Sequence, residues 1–181
     1  GKKIAPITGL TKLGIEKVPP MVTRGVLFDM TKILGVEYLK AGQTFSVKEL
    51  KLAEKKQGVK VKKGDVVLFH TGWTDAMLEK FPEKWGAEIP GLTPELAQYL
   101  ADAEVIAVGS DTYGLDVIPP VNPMEPFQGH VILLKENGIY ILEAMNTGPL
   151  ARDETFEFLF VLGQAKVRGA VQMYVNPIAI R

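Results

Sequence analysis

Four short runs of almost unbroken hydrophobicity, each closed by a turn signal, set the tightest limit on how this chain folds. They are Arg24-Gly-Val-Leu-Phe-Asp-Met30, Val66-Val-Leu-Phe-His-Thr-Gly-Trp73, Val105-Ile-Ala-Val-Gly-Ser-Asp111 and Ile139-Tyr-Ile-Leu-Glu-Ala-Met145. Each lacks the alternation of a strand with one wet face, so each reads as a strand buried on both sides. Residues 156–163 and 170–181 are also strand-like.

Helices are fewer, and their ends are marked. Ser46-Val-Lys-Glu49 is a capping box that predicts a helix to about Gln57, stopped by Gly58. Thr93-Pro94-Glu95 starts another, with Thr93 as cap and Pro94 in the first turn. His130-Val-Ile-Leu-Leu-Lys135 reads as a short apolar helix ended by left-handed residues at Asn137-Gly138. Residues 1–20, with Pro6, Gly9, Gly14, Pro19 and Pro20, predict an irregular arm laid over the domain, and residues 74–91 a loop holding one short helix. The expectation is a mixed α/β fold, a central sheet with a few packed helices, forming one domain over residues 1–181.

Composition narrows the function. Basic and acidic side chains number 21 each, so nothing electrostatic points to nucleic acid or an anionic membrane. The longest apolar runs are too short to span a bilayer. With no cysteine there is no disulfide, thiolate ligand or cysteine nucleophile, which is compatible with the cytoplasm. Gly109-Ser-Asp-Thr-Tyr-Gly114 has the wrong glycine spacing for a phosphate cradle, and neither His-Glu-x-x-His nor Gly-x-Ser-x-Gly occurs.

What remains is a set of polar groups at strand ends, where sites tend to gather. Glu143 shares a strand face with Ile139, Ile141 and Met145, and a carboxylate buried there needs a cation or several hydrogen bonds. A fold-back over Asn137-Gly138 could bring it near His130, one of two histidines, and a metal could use both. A structural ion pair for Glu143 and a capping or core role for His130 account for the same residues. His70 and Trp73 close one strand, and Asp111 and Tyr113 follow another. All four are candidate substrate contacts. Equally, His70 could cap, Trp73 could pack in the core and Asp111 could bond amides of its own turn.

Taken in order, Gly64-Asp-Val-Val-Leu-Phe-His-Thr-Gly-Trp73, Val108-Gly-Ser-Asp-Thr112, the stretch from His130 to Glu143 and Asn176-Pro-Ile-Ala-Ile180 resemble the cyclase family of metal-dependent hydrolases. Residues 14–27 and Asn137-Gly-Ile-Tyr140 resemble its longer branch. The resemblance implies a curved or barrel-like sheet. It implies hydrolysis of an amide, imide, lactam or lactone bond in a small molecule, with zinc or manganese polarising the carbonyl and acidifying water. It makes His130 and Glu143 the late metal ligands, one residue further apart than in the formamidases. It implies a homo-oligomer, a dimer or tetramer, and the absence of cysteine adds the expectation of a cytoplasmic protein.

The family's upstream His-x-Gly-Thr-His-x-Asp motif, which supplies most metal ligands and the catalytic histidine, does not occur between Gly1 and Arg181. The chain is therefore expected to correspond to the C-terminal portion of a family member, and no catalytic residue is assigned within it. A non-catalytic small-molecule binding or scaffold domain is the competing expectation.

Overall fold

The computed structural model describes residues 4–7 and 9–181. In chain order the elements are β1 (Met21–Asp29), α1 (Met30–Leu34), β2 (Thr44–Phe45), α2 (Val47–Gln57), β3 (Val66–His70), α3 (Trp73–Met77), α4 (Pro82–Trp85), β4 (Gly91–Leu92), α5 (Pro94–Asp102), β5 (Ala107–Ser110), α6 (Gln128–His130), β6 (Tyr140–Leu142), α7 (Gly148–Arg152), β7 (Glu157–Leu162) and β8 (Ile178–Ile180). The fold is mixed α/β around a six-stranded sheet ordered β6-β5-β3-β1-β7-β8. The sheet is open: it does not close into a barrel among the described residues.

The chain divides into a larger unit, Arg24–Phe158, and a smaller one formed by Gly1–Thr23 with Leu159–Arg181. In the larger unit β1, β3, β5 and β6 are parallel, and their register lines up Val26, Val67, Val108 and Ile141 across the sheet. That row and its neighbours Phe28 and Phe69 pack against Leu50 and Ala53 of α2 and Leu96, Ala97 and Leu100 of α5. The unbroken apolar runs of β1, β3 and β5 have this cause: an interior strand covered by helices has no wet face, whereas β6, expected to be buried on both sides, lies at the sheet edge and leaves Tyr140 and Ile141 half-buried. On the reverse face Leu27, Leu68, Gly109 and Leu142 form the next row.

The helix signals match their positions. Ser46 accepts from Lys48 N, Glu49 accepts from Ser46 N, and Gly58 closes α2 in the left-handed region at φ +72°. Such a cap stabilises a helix by about 1 kcal/mol. Thr93 caps α5, accepting from Leu96 N.

Several strands are shorter than their hydrophobicity predicts. β3 stops at His70 because Gly72 turns left-handed (φ +72°), and Trp73 opens α3 instead of ending the strand. β6 stops at Leu142, so Glu143 lies just past it. Of residues 170–181 only Ile178–Ile180 pair as a strand. The 74–91 loop holds α4, and α3 begins just before it. The apolar helix at His130 is a single α turn, α6, running into a π turn over Val131–Glu136. Gly138 alone is left-handed there (φ +66°), whereas Asn137 has φ −117° and donates its side-chain amide to Ile132 O at 2.8 Å.

In the smaller unit β7 and β8 pair antiparallel, with Leu159 opposite Ile180 and Val161 opposite Ile178. The predicted arm carries one 3-10 turn, Ile15–Lys17, and is tied down by Leu10 N donating to Gly169 O (2.8 Å) and Ile15 N to Ala170 O (3.0 Å). Its residues 1–3 and 8 lie outside the described residues.

Candidate functional site

Four parallel strands end on one edge of the sheet, and their carboxyl ends deliver Asp29, His70, Ser110-Asp111 and Glu143 to it. This edge is where open parallel sheets form their binding crevices. Two polar clusters are built there.

The first contains both predicted metal ligands. Ala144 N donates to Thr112 O (2.7 Å) and Met145 N to Ser110 O (2.9 Å), which lashes the segment after β6 to the loop after β5. Ala144 takes a left-handed φ of +51° to do so, and Phe127, just before α6, has φ +59°. Non-glycine residues in that region store strain, and here both flank the cluster. The fold-back brings His130 Nε2 to 3.3 Å from Glu143 Oε1. Glu143 is not the buried carboxylate its strand face implied: beyond the end of β6 its side chain is 37% exposed. A π turn over Val131–Glu136 lies between the two residues.

Sequence reading missed the third member, Asp116. Its Oδ1 accepts from Gly129 N at 2.6 Å; its Oδ2 accepts from His130 N at 3.0 Å and meets His130 Nδ1 at 2.5 Å. A signal was present. A helix that begins after Phe127 has no local side chain to accept from its first amides, so an acceptor must come from elsewhere in the chain. Hydrogen bonds to Asp116 and Glu143, against the opposing effect of burial, push the His130 pKa up to about 9.

The second cluster lies under the β3–α3 turn. Asp111 Oδ1 accepts from Thr71 N (2.8 Å) and Thr71 Oγ1 (2.7 Å), while its Oδ2 is buried without a hydrogen-bond partner. His70 Nδ1 is 2.8 Å from Thr147 Oγ1 and 3.8 Å from Asp111 Oδ2. Burial raises the Asp111 pKa above the ordinary carboxylate range, opposed by the His70 ring and the Thr71 donors. Both residues are buried, and these contacts hold the turn that carries Trp73.

The predicted aromatic residues are linked through Trp85. The Trp73 indole donates to Trp85 O at 3.3 Å, the Trp85 indole donates to Thr74 Oγ1 at 2.8 Å, and the Trp85 ring stands 5.9 Å from that of Tyr113. Trp73, Tyr38, Met77, Lys84 and Glu88 line an open groove of about 560 Å³. Tyr113 borders the first cluster: burial raises its pKa, and the charges of Glu143 and Glu88 add to the effect. The six predicted site residues thus fall into the His130–Glu143 pair, the buried His70–Asp111 pair, and an aromatic wall of Trp73 and Tyr113.

The His130–Glu143 pair fits a metal ion. A spacing of 3.3 Å suits neighbouring donors each ~2.1 Å from one cation, and His130 Nδ1 rests on a carboxylate, as in most metal-bound histidines. Among the described residues, no three His, Asp or Glu side chains form a set that could hold a metal.

A sequence model of the cyclase family matches residues 5–117. A crystal structure described as a novel cyclase is 26% identical, with a TM-score of 0.80 over 96% of this chain and 59% of its own length. Isatin hydrolase A from Ralstonia solanacearum is 19% identical, with a TM-score of 0.75 over 93% of this chain and 64% of its own. A structure described as a potential metal-dependent hydrolase with cyclase activity is 19% identical, with a TM-score of 0.65 over 97% of this chain and 74% of its own. These last two likenesses concern the fold. The chain spans less than two thirds of the length of the first two. No curated protein matches it.

Proposed function

The chain belongs to the cyclase family, and from that premise we propose that it carries the His130–Glu143 part of a metal-dependent hydrolase acting on an amide, imide, lactam or lactone bond of a small molecule. The supporting observation is the 3.3 Å approach of His130 Nε2 to Glu143 Oε1, with Nδ1 engaged by Asp116. His130, through Nε2, and Glu143 would hold zinc or manganese. When bound, the ion supplies Lewis-acid polarisation of the carbonyl and a water of lowered pKa.

The chain's own residues do the rest. Glu143 contributes the negative charge that retains a cation, and a neutral His130 contributes a lone pair. Tyr113, beside Glu143, gives a flat apolar surface for a small ring substrate, and Trp73, buried at 2% exposure, backs the groove from within the core. His70 and Asp111 hold the turn on which Trp73 stands. Catalytic zinc sites use three protein ligands, so the remaining donors come from the part of the family's length that this chain does not span. No helix among the described residues is long and apolar enough to cross a membrane, and our reading places the enzyme in the cytoplasm. It also includes a homo-oligomer, because Leu159, Ile178 and Ile180 leave apolar surface exposed on β7 and β8.

The test is Glu143→Gln in a chain restored to the family's full length. The amide keeps the shape and removes the charge, so metal affinity should fall at least tenfold, and hydrolysis of a cyclic imide or N-formyl amide with it. Normal metal content with only a lowered melting temperature would refute the ligand assignment. A second reading, a binding domain without catalysis, is favoured by the two-donor count among the described residues. A restored wild-type chain that binds such a compound but neither holds metal nor hydrolyses it would establish that reading instead.

A further inference from the structure

We propose that Asp116 is the positioning residue of this site: its carboxylate selects the Nδ1–H tautomer of the neutral His130 ring, so that Nε2 is the nitrogen that gives up its proton and can offer a lone pair. The inference rests on the metal reading only for the purpose of that lone pair; the tautomer itself follows from the hydrogen bonds.

The argument is one of donor and acceptor accounting. Asp116 is 6% exposed, so its oxygens must find donors within the protein. Oδ1 takes Gly129 N, and Oδ2 takes His130 N and His130 Nδ1. Two successive amides of α6 hold the carboxylate in place independently of the imidazole. It therefore cannot follow the ring if the ring turns.

An ionised carboxylate only accepts hydrogen bonds. An imidazole nitrogen 2.5 Å from it must carry the proton, and in the neutral ring the other nitrogen then has none. That other nitrogen is Nε2, 3.3 Å from Glu143 Oε1. Two carboxylates thus flank one ring with different tasks: Asp116 is buried and fixed by the backbone, whereas Glu143 is more than a third exposed and free to take another partner. The Phe127 ring stands edge-on to the imidazole, with the centroids 6.1 Å apart.

Gly129 belongs to the same device. A Cβ there would lie 2.6 Å from Asp116 Oδ1, so only glycine lets the carboxylate reach both amides. Nothing bulkier at position 129 is compatible with this contact.

The experiment is nitrogen NMR of the imidazole rings in the metal-free chain, in base where the ring is neutral. There are two histidines, and His70→Gln assigns the signals. The expected result is a His130 ring protonated at Nδ1 in the wild type, measured without altering the site. In Asp116→Asn, and independently in Gly129→Ala, the proton should shift towards Nε2. Zinc affinity of the full-length chain should fall at least tenfold in both variants. A wild-type His130 protonated at Nε2, or a proton unmoved in both folded variants, would overturn the role of Asp116. A ring protonated at Nδ1 in a full-length chain that binds no zinc or manganese supports Asp116 and defeats the metal reading, so the two failures are distinguishable.

Discussion

Replacing His130 by glutamine should remove a specific part of the protein's pH-dependent stability. The imidazole has an ordinary pKa of 6.5 and one of about 9 in the folded chain, where hydrogen bonds to Asp116 and Glu143 favour its charged form. Folding therefore takes up a proton in this interval. The stabilisation is fully present below pH 6.5, declines as the pH rises, and is gone above about 9. At about 1.4 kcal/mol per pH unit the full interval corresponds to roughly 3 kcal/mol. The Glu143 share is screened because that side chain is 37% exposed, which brings the expected effect to about 1–2 kcal/mol. Urea unfolding of the metal-free chain at several pH values between 6 and 10 reads this directly. The wild-type midpoint should fall across the interval, and the His130→Gln profile should lose that fall. Parallel profiles for the two proteins would refute the assigned ion network.

Two further substitutions probe the sheet edge and the core. Asp111→Asn keeps an oxygen for the two Thr71 donors and removes a buried charge whose pKa is raised by burial. A raised acid pKa lowers stability as the pH rises through the carboxylate range. The Asn variant should therefore be as stable as wild type at neutral pH, or up to about 1 kcal/mol more so, while Asp111→Ala should lose about 1–3 kcal/mol because Thr71 N–H is left unpaired. Thermal unfolding at neutral pH checks both, and a large loss in the Asn variant would contradict the reading. Gly109→Ala would place a Cβ 2.7 Å from Leu142 O and 2.9 Å from Leu68 Cδ2, between two neighbouring strands. Overpacking there should destabilise by about 1–3 kcal/mol, a drop of roughly 2–4 °C in melting temperature for each kcal/mol in a domain of this size. An unchanged melting temperature would show that β5 and β6 separate more easily than their register implies.

The elements were legible where their causes are local. The capping box at Ser46, the Thr93 cap and the left-handed Gly58 depend on residues three or four positions apart, and the structure has all three. Strand ends were less legible. Hydrophobicity runs through Trp73 and Met145, but pairing stops at His70 and Leu142, where the backbone turns. Apolar side chains beyond those points pack in loops and helix starts just as well, so hydrophobicity alone does not mark where the ladder ends.

The candidate site divides along the same line. Which residues can do chemistry is visible in the chain itself: two histidines and a carboxylate after an apolar run already single out His130 and Glu143. That they meet, and that Asp116 joins them, is a tertiary decision. Asp116 and His130 are 14 residues apart, across a proline-rich loop with no periodicity to reveal the contact. Glu143 reaches His130 through the π turn, Gly138 and the β5–β6 register acting together. The exposure of Glu143 follows from where β6 ends, and the burial of Asp111 from where β5 runs into the edge of the sheet. Local propensity acts over a few residues, whereas burial and proton affinity depend on groups that only the folded chain brings within a few ångströms.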